Sequence, residues 1–281
     1  MTSGAGGDPR DLPLYDTAAP RSRVLDELRD LYRYRDLLLN LILRSITARY
    51  KRSVLGILWT LLDPLLTMAV MAVIFSALFA QSQRAYPVYL LSALVIWNFF
   101  SQSTTQAMGD LVYGGSLMGK VYMPRSVFAV AAVGAGLVNV IVSLLPLFLL
   151  MLIFRTPLTA TLLFLPIALA TVALFSLGFS LLMSTFAVYF ADVMNIHRIL
   201  LRLLMYLSGV FYTLDVLPNW LKPIVNVNPL YHLISLFRAP IYNGVMPESV
   251  SLFVALGATS AMLLVGYSAY MRVSDDFAYR L

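Results

Sequence analysis

Side chains able to make or break covalent bonds are few in this sequence, and they are scattered. Asp63, Asp110 and Asp192 stand singly and far apart, His197 and His232 are the two histidines, and there is no cysteine. Without cysteine neither a disulfide framework nor a thiolate-held metal can form, and two histidines do not make a histidine-based metal cluster. No G-x-x-x-x-G-K-[ST] loop is present to cradle a nucleotide, since no Gly-Lys-Ser/Thr follows the glycines of Gly114–Gly119. Nor is there an H-E-x-x-H, or a pair of acids of the kind that holds Mg²⁺ on a lipid diphosphate. No residue is assigned a catalytic or metal-binding role.

What remains are residues that line, stack and anchor. Trp97, Phe99, Phe100, Tyr206, Phe211, Tyr212 and Tyr267 lie within or beside long apolar stretches. Aromatic rings there anchor a chain at the membrane interface, or stack on sugar faces and line a sliding path for a polymer. Tyr206, Phe211 and Tyr212, just ahead of an irregular outer region, are favoured for such a path. Asp63-Pro64 reads as the junction at which the first membrane span begins. Its alternatives are substrate or ion handling, or pairing with an arginine of the preceding helix. Asp192, His197 and Arg198 read as salt-pairing groups at the membrane surface.

The elements that must position these residues follow from composition. Of 281 residues 60% are hydrophobic and 12% charged, against roughly 45–50% and about 25% in average soluble domains. So few charges cannot coat a water-soluble fold. Six stretches have the character of membrane segments: 55–79, 89–108, 128–154, 158–190, 199–214 and 252–271. The fourth, as one helix, would be about 50 Å long against a hydrocarbon layer of about 30 Å, so it must tilt, break or protrude. With the amino terminus inside, 16 of the 20 lysines and arginines fall on the inner side and 4 outside. That bias places both termini in the cytoplasm. The net charge of +6 is therefore a topology signal, and nucleic acid is not a predicted partner.

Residues 1–20 read as a disordered tail and 273–281 as a cytoplasmic end. In 21–54 the three- and four-residue spacing of Val24, Leu25, Leu28, Leu31 and Tyr32, continued by Leu38, Leu39, Ile42 and Ile46, predicts an amphipathic helix along the inner leaflet. The six-helix domain occupies 55–272. Its inner loop, 109–127, has room for a short helix over Ser116–Tyr122 before Pro124 stops it. Its outer segment, 215–250, is chopped by Pro218, Pro223, Pro229 and Pro240. Such apolar but interrupted pieces dip into the outer leaflet and return.

The chain resembles the ABC-2 type permeases that export polysaccharides. The resemblance rests on 49–59 (RYKRSVLGILW) with Arg35-Asp36-Leu37-Leu38 and Asp63-Pro64-Leu65, on 119–125 (GKVYMPR), and on 228–234 (NPLYHLI) followed by Phe237-Arg238-Ala239-Pro240. It covers about 30–272 in the right order. It implies an all-α polytopic fold of six transmembrane helices, with an amino-terminal interface helix and re-entrant periplasmic gate helices. It further implies a channel-forming subunit in the bacterial cytoplasmic membrane, paired as a homodimer on two copies of a separate ATPase that carries ATP and Mg²⁺. Cargo of the O-antigen, teichoic acid or mycobacterial-type galactan kind, linked to lipid, is implied as well.

By the same resemblance Arg35, Arg49, Tyr50 and Arg52 belong to the interface helix. Leu111, Val112, Tyr113, Ser116, Leu117 and Met118 form the coupling loop, and Pro218, Trp220, Asn228, Pro229, Tyr231 and Arg238 the periplasmic gate. Tyr206, Phe211, Tyr212 and Trp97 supply channel aromatics. Many relatives have a proline before the aromatic pair where this chain has Ser208-Gly209-Val210, which predicts a less kinked helix there. Two alternatives stay open: an ABC-2 permease for a drug or small lipid, and an ion-coupled secondary transporter. The latter predicts midplane ionisable groups and an internal repeat, neither of which is evident.

Overall fold

A computed structural model of the chain describes residues 27, 29, 31–50, 55–56, 58–78, 85–113 and 126–273. Expectations placed on 1–26, Arg52, 114–125 (with Ser116, Leu117 and Met118) and 274–281 lie outside these residues, as do the side chains of Arg49 and Tyr50. All regular structure among the described residues is helical. In chain order the helices are α1 (Arg35–Tyr50), α2 (Leu58–Leu78), α3 (Tyr86–Tyr113), α4 (Ser126–Ile153) and α5 (Leu165–Tyr189). They continue with α6 (Val193–Leu207), α7 (Lys222–Val227), α8 (Pro229–Arg238) and α9 (Ser249–Val273).

Three helical stretches are long and apolar enough to cross a bilayer: Ser126–Ile153, Ala160–Tyr189 and Ser249–Arg272. With exposed apolar side chains such as Leu145, Leu163, Phe253 and Leu264 on their outer faces, they define an all-α polytopic membrane protein. α2 carries a shorter apolar stretch, Leu61–Ile74, and α6 is only 15 residues long. The long fourth stretch breaks. A 3-10 turn (Ala160–Phe164) precedes α5, whose Pro166 sits in the first turn, where its missing N–H costs nothing. The remaining 25 residues span roughly 37 Å.

α3 is the axis of the bundle and packs against α2, α4, α5, α6 and α8. Val88, Leu90, Leu91 and Ala93 are all 0% exposed, so its amino-terminal half is buried on every side, as befits an apolar stretch surrounded by helices. Around it, small residues let backbones touch. A methyl group at Gly266 of α9 would lie 2.0 Å from the Gly178 carbonyl oxygen of α5. One at Gly134 of α4 would lie 2.7 Å from Ile42 of α1. α1 thus lies against α4 through Ile42, with Leu38 and Ile46 half-buried on the same side, while Leu39 is 56% exposed and falls off the packed face on which the spacing placed it.

Candidate functional site

One end of the bundle is organised around a helix that stops inside it. α6 ends at Leu207, and the chain turns through Gly209, whose φ of +62° is left-handed. A helix end leaves carbonyls without donors, and carbonyls buried in a bundle must find their donors within the chain. Side chains from three other places in the sequence take over. Asn228 Nδ2 donates to the Leu207 carbonyl at 3.1 Å and to Ser208 Oγ at 2.9 Å. Arg238 donates from Nη1 to Gly209 O at 3.0 Å and from Nη2 to Val210 O at 3.3 Å. Tyr86 Oη donates to Phe211 O at 2.8 Å and Tyr89 Oη to Tyr212 O at 2.7 Å. Ser208 Oγ closes onto Leu204 O, and the Tyr212 hydroxyl onto the Tyr206 carbonyl.

Arg238 is 7% exposed, and no carboxylate pairs with it among the described residues. Its charge rests on two carbonyl dipoles and on the face of Tyr89, whose ring centroid is 3.6 Å from the guanidinium carbon. Asn228 does double work. Its Oδ1 accepts from Leu230 N at 3.0 Å and caps α8, with Pro229 in the first turn. Below it His232 Nε2 lies 2.7 Å from Asn226 O, a pure acceptor, so that nitrogen carries the proton and Nδ1 accepts from Ser251 Oγ at 3.2 Å. After Arg238 a π-helical turn (Ala239–Asn243) leads to Gly244, at φ +65°, whose carbonyl accepts from Thr159 Oγ1 at 2.9 Å.

The carboxyl-terminal half of α3 has a different character. Asn98, Ser101, Gln102, Thr105 and Gln106 recur at helical spacing and put amides and hydroxyls along one side. Two cavities open against that side and share Gln102. One, of about 280 Å³ between α2, α3 and α4, is lined by Trp59, Asp63, Asn98, Gln102, Asn139 and Ser143, together with Val95, Phe99, Gly136 and Val140. The other, of about 370 Å³, meets Leu201 of α6. The track ends where Gln106 Nε2 donates to Asp110 Oδ2 at 3.3 Å. In the inner segment beyond the predicted second span, burial pushes the Asp110 carboxyl above its ordinary range, against the opposing pull of the Gln106 hydrogen bond and of Arg44 from α1.

Asp63 lies inside α2, exposed, beside Pro64 and at the cavity wall. The polar spacing on α3 was present in the sequence and is the signal that attention to aromatic rings passes over. Of those rings, Trp97 and Phe211 are 5% and 4% exposed and pack into the core, whereas Tyr206 is 59% exposed and Tyr212 half-buried. Pro218 and Trp220 are exposed, Pro229 and Tyr231 half-buried, and Arg238 is enclosed. A methyl group at Gly209 would meet the Tyr231 ring at 3.0 Å, so ring and turn are in contact.

The missing proline does not leave a straighter helix. Gly209 breaks the helix outright, because it reaches a φ that other residues enter only at a cost. His197 is not a surface salt-pairing group: it is 1% exposed, with its ring 6.0 Å from that of Phe179. Arg198 donates to Asn195 Oδ1 at 2.9 Å. At the carboxyl-terminal end of α3 Leu111 is buried and Val112 half-buried, while Tyr113 is 76% exposed. Arg35 is exposed, 4.0 Å from Asp36 and over the Tyr32 ring at 5.0 Å. No group of three or more His, Asp or Glu able to hold a metal occurs among the described residues.

The described residues thus form a helical membrane bundle with amides and hydroxyls along one side of α3. The ABC-2 type transporter family model matches residues 36–242, and the chain belongs to that family. It is similar to the O-antigen export system permease protein RfbA of Myxococcus xanthus, 30% identical over 255 residues, covering 89% of this chain and 97% of the relative. RfbA of Klebsiella pneumoniae is 25% identical over 86% of this chain and 94% of its own. The polysialic acid transport protein KpsM of Escherichia coli is 24% identical over 82% and 90%.

Proposed function

We propose that this chain is the channel-forming permease subunit of an ATP-driven exporter that moves a lipid-linked polysaccharide across the bacterial cytoplasmic membrane. The observation that carries this is the polar side of α3, flanked by one cavity between α2, α3 and α4 and by an open groove beside α6, in an otherwise apolar bundle. A drug or small-lipid permease has less use for amides and hydroxyls over three helical turns. The related O-antigen and polysialic acid permeases support a glycan cargo. A long hydrophilic polymer needs a continuous lining of weak, repeated contacts, since a tight site would trap it.

The permease acts as a homodimer on two copies of a separate ATPase, surrounded by membrane lipids. Six crossings are completed by α2, α3 and the break-ended α6 beside the three long helices, with both termini cytoplasmic. Residues 111–118 form the coupling segment at the inner end of α3, and ATP turnover on the partner shifts the population of channel states through it. The segment 215–242 is the periplasmic gate, hinged on the carbonyl cluster at 207–212. Tyr206 and Tyr212 are the accessible channel aromatics, with the Phe211 ring packed beside that of Tyr206 and Trp97 buried in the core. No covalent step is asked of this subunit.

The test is ATPase activity of the permease co-purified with its ATPase in lipid nanodiscs, with and without polyprenyl-linked glycans. Stimulation by one glycan class, abolished when Leu111–Met118 is replaced by a glycine-serine segment, is the expected result. If no ATPase binds and the chain alone moves solute down an ion gradient, the proposal fails in favour of secondary transport.

A further inference from the structure

The cavity between α2, α3 and α4 carries one formal charge, that of Asp63, and no cation among its lining residues. The Asp63 carboxylate only accepts hydrogen bonds, is exposed, and makes no ion pair among the described residues. Asn139 Oδ1 is buried with no hydrogen-bond partner among the described residues. Ser143 Oγ donates its proton to the Asn139 backbone carbonyl at 2.8 Å, so it too offers lone pairs. A buried amide oxygen is paired in native interiors, and an acid on a helix of a membrane domain marks a functional contact. The wall also holds Trp59, 46% exposed, and the Phe99 ring. At about 280 Å³ the space is in the range of small-ligand pockets.

We propose that this cavity is a recognition site for a neutral, hydroxyl-rich sugar ring, and that it turns away anionic groups. Sugar hydroxyls are donors that also accept. They answer Asp63, Asn139 and Ser143 and still meet the mixed amides of Asn98 and Gln102, while the apolar face of the ring lies on Trp59. A phosphate or a uronic acid brings a negative charge against the Asp63 carboxylate, and no cation lines the cavity to offset it. The inference rests on the export function above and sharpens it: the unit recognised here is a neutral glycosyl residue, not a phosphorylated or acidic one.

The test uses the full chain in lipid nanodiscs without its ATPase, following tryptophan emission. Octyl glucoside, octyl glucuronide, octyl phosphate and octyltrimethylammonium are titrated below micelle formation. Octyl glucoside should give a saturable change that vanishes in Trp59→Phe and needs at least tenfold more ligand in Asn139→Leu. Octyl glucuronide and octyl phosphate should give none in the parent. Asp63→Asn keeps the size and removes the charge, so it should admit octyl glucuronide, a gain that a misfolded protein cannot mimic.

Equal binding of the phosphate or the ammonium amphiphile overturns the proposal. So does an Asp63→Asn variant that still rejects the glucuronide, or an Asn139→Leu variant that unfolds at the parent's temperature and binds unchanged. Sugar binding without glycan-stimulated ATPase activity would overturn the export function and leave the site standing. The reverse result would remove the site alone.

Discussion

Arg238 is the most exacting residue in the molecule. Its fork serves two consecutive carbonyls and its face covers Tyr89, a combination that lysine, with one compact ammonium, cannot reproduce. Hydrogen bonds to a charged group are each worth about 1.5–3 kcal/mol. Arg238→Met should therefore lower the thermal unfolding midpoint in nanodiscs steeply, and Arg238→Lys should recover only part of the loss. Recovery of the parental midpoint by lysine would show that the charge, not the fork, matters. Gly266 is exacting for a steric reason. An alanine there cannot coexist with the Gly178 carbonyl at 2.0 Å, so α5 and α9 must separate. Overpacking of this kind costs about 1–3 kcal/mol, which Gly266→Ala should show as lower abundance and earlier unfolding.

At the scale of elements, α6 and α8 meet through Asn228. Removing a helix cap costs typically about 1 kcal/mol, and Asn228→Ala also strips donors from Leu207 and Ser208. The loss should exceed that of an ordinary cap, and amide exchange should quicken in α8 and at 207–212 together. Exchange confined to α8 would mean that the two helices are not coupled there. At the opposite end, α1 and α3 meet near Asp110, whose folded-state carboxyl is raised by burial. A raised acid binds its proton more tightly when folded, so its contribution to stability is lost as pH rises from the ordinary carboxylate range through the folded value. Asp110→Asn should then stabilise the protein at neutral pH, by an amount that shrinks as the pH is lowered toward that range. A fall in the unfolding midpoint at neutral pH would show that the attraction of Arg44 outweighs burial.

At the scale of the whole molecule the bundle is built in two halves along α3. Its amino-terminal half is apolar and enclosed, and its carboxyl-terminal half presents amides and hydroxyls to pockets. In the proposed export function, with the proposed orientation, a hydrophilic polymer entering from the cytoplasm would meet the polar half first, with the carbonyl cluster and its arginine at the far end. Replacing Gln102 and Thr105 with leucine should therefore reduce glycan-stimulated ATPase activity severalfold while leaving basal activity within about twofold. A parallel loss of both activities would point to failed folding or assembly instead of a failed passage.

The chain's membrane character was legible directly, because it depends on composition. So was the broken outer region, since four prolines forbid a continuous helix there. The helix break after Leu207 was misjudged. A missing proline reads as a straighter helix, yet a glycine tolerated at φ +62° stops it altogether. The roles of Arg238, Asn228, Tyr86 and Tyr89 were closed to sequence reasoning, because their acceptors lie 20 to more than 100 residues away and only tertiary packing brings them together. Asp63 shows the same limit. Sequence makes it an acid beside a proline, whereas the approach of α3 and α4 makes it one wall of a cavity. Composition and periodicity determine which segments enter the membrane, since transfer into lipid acts on each segment by itself. Which polar groups those segments share is decided by their packing, since a hydrogen bond needs both partners in place.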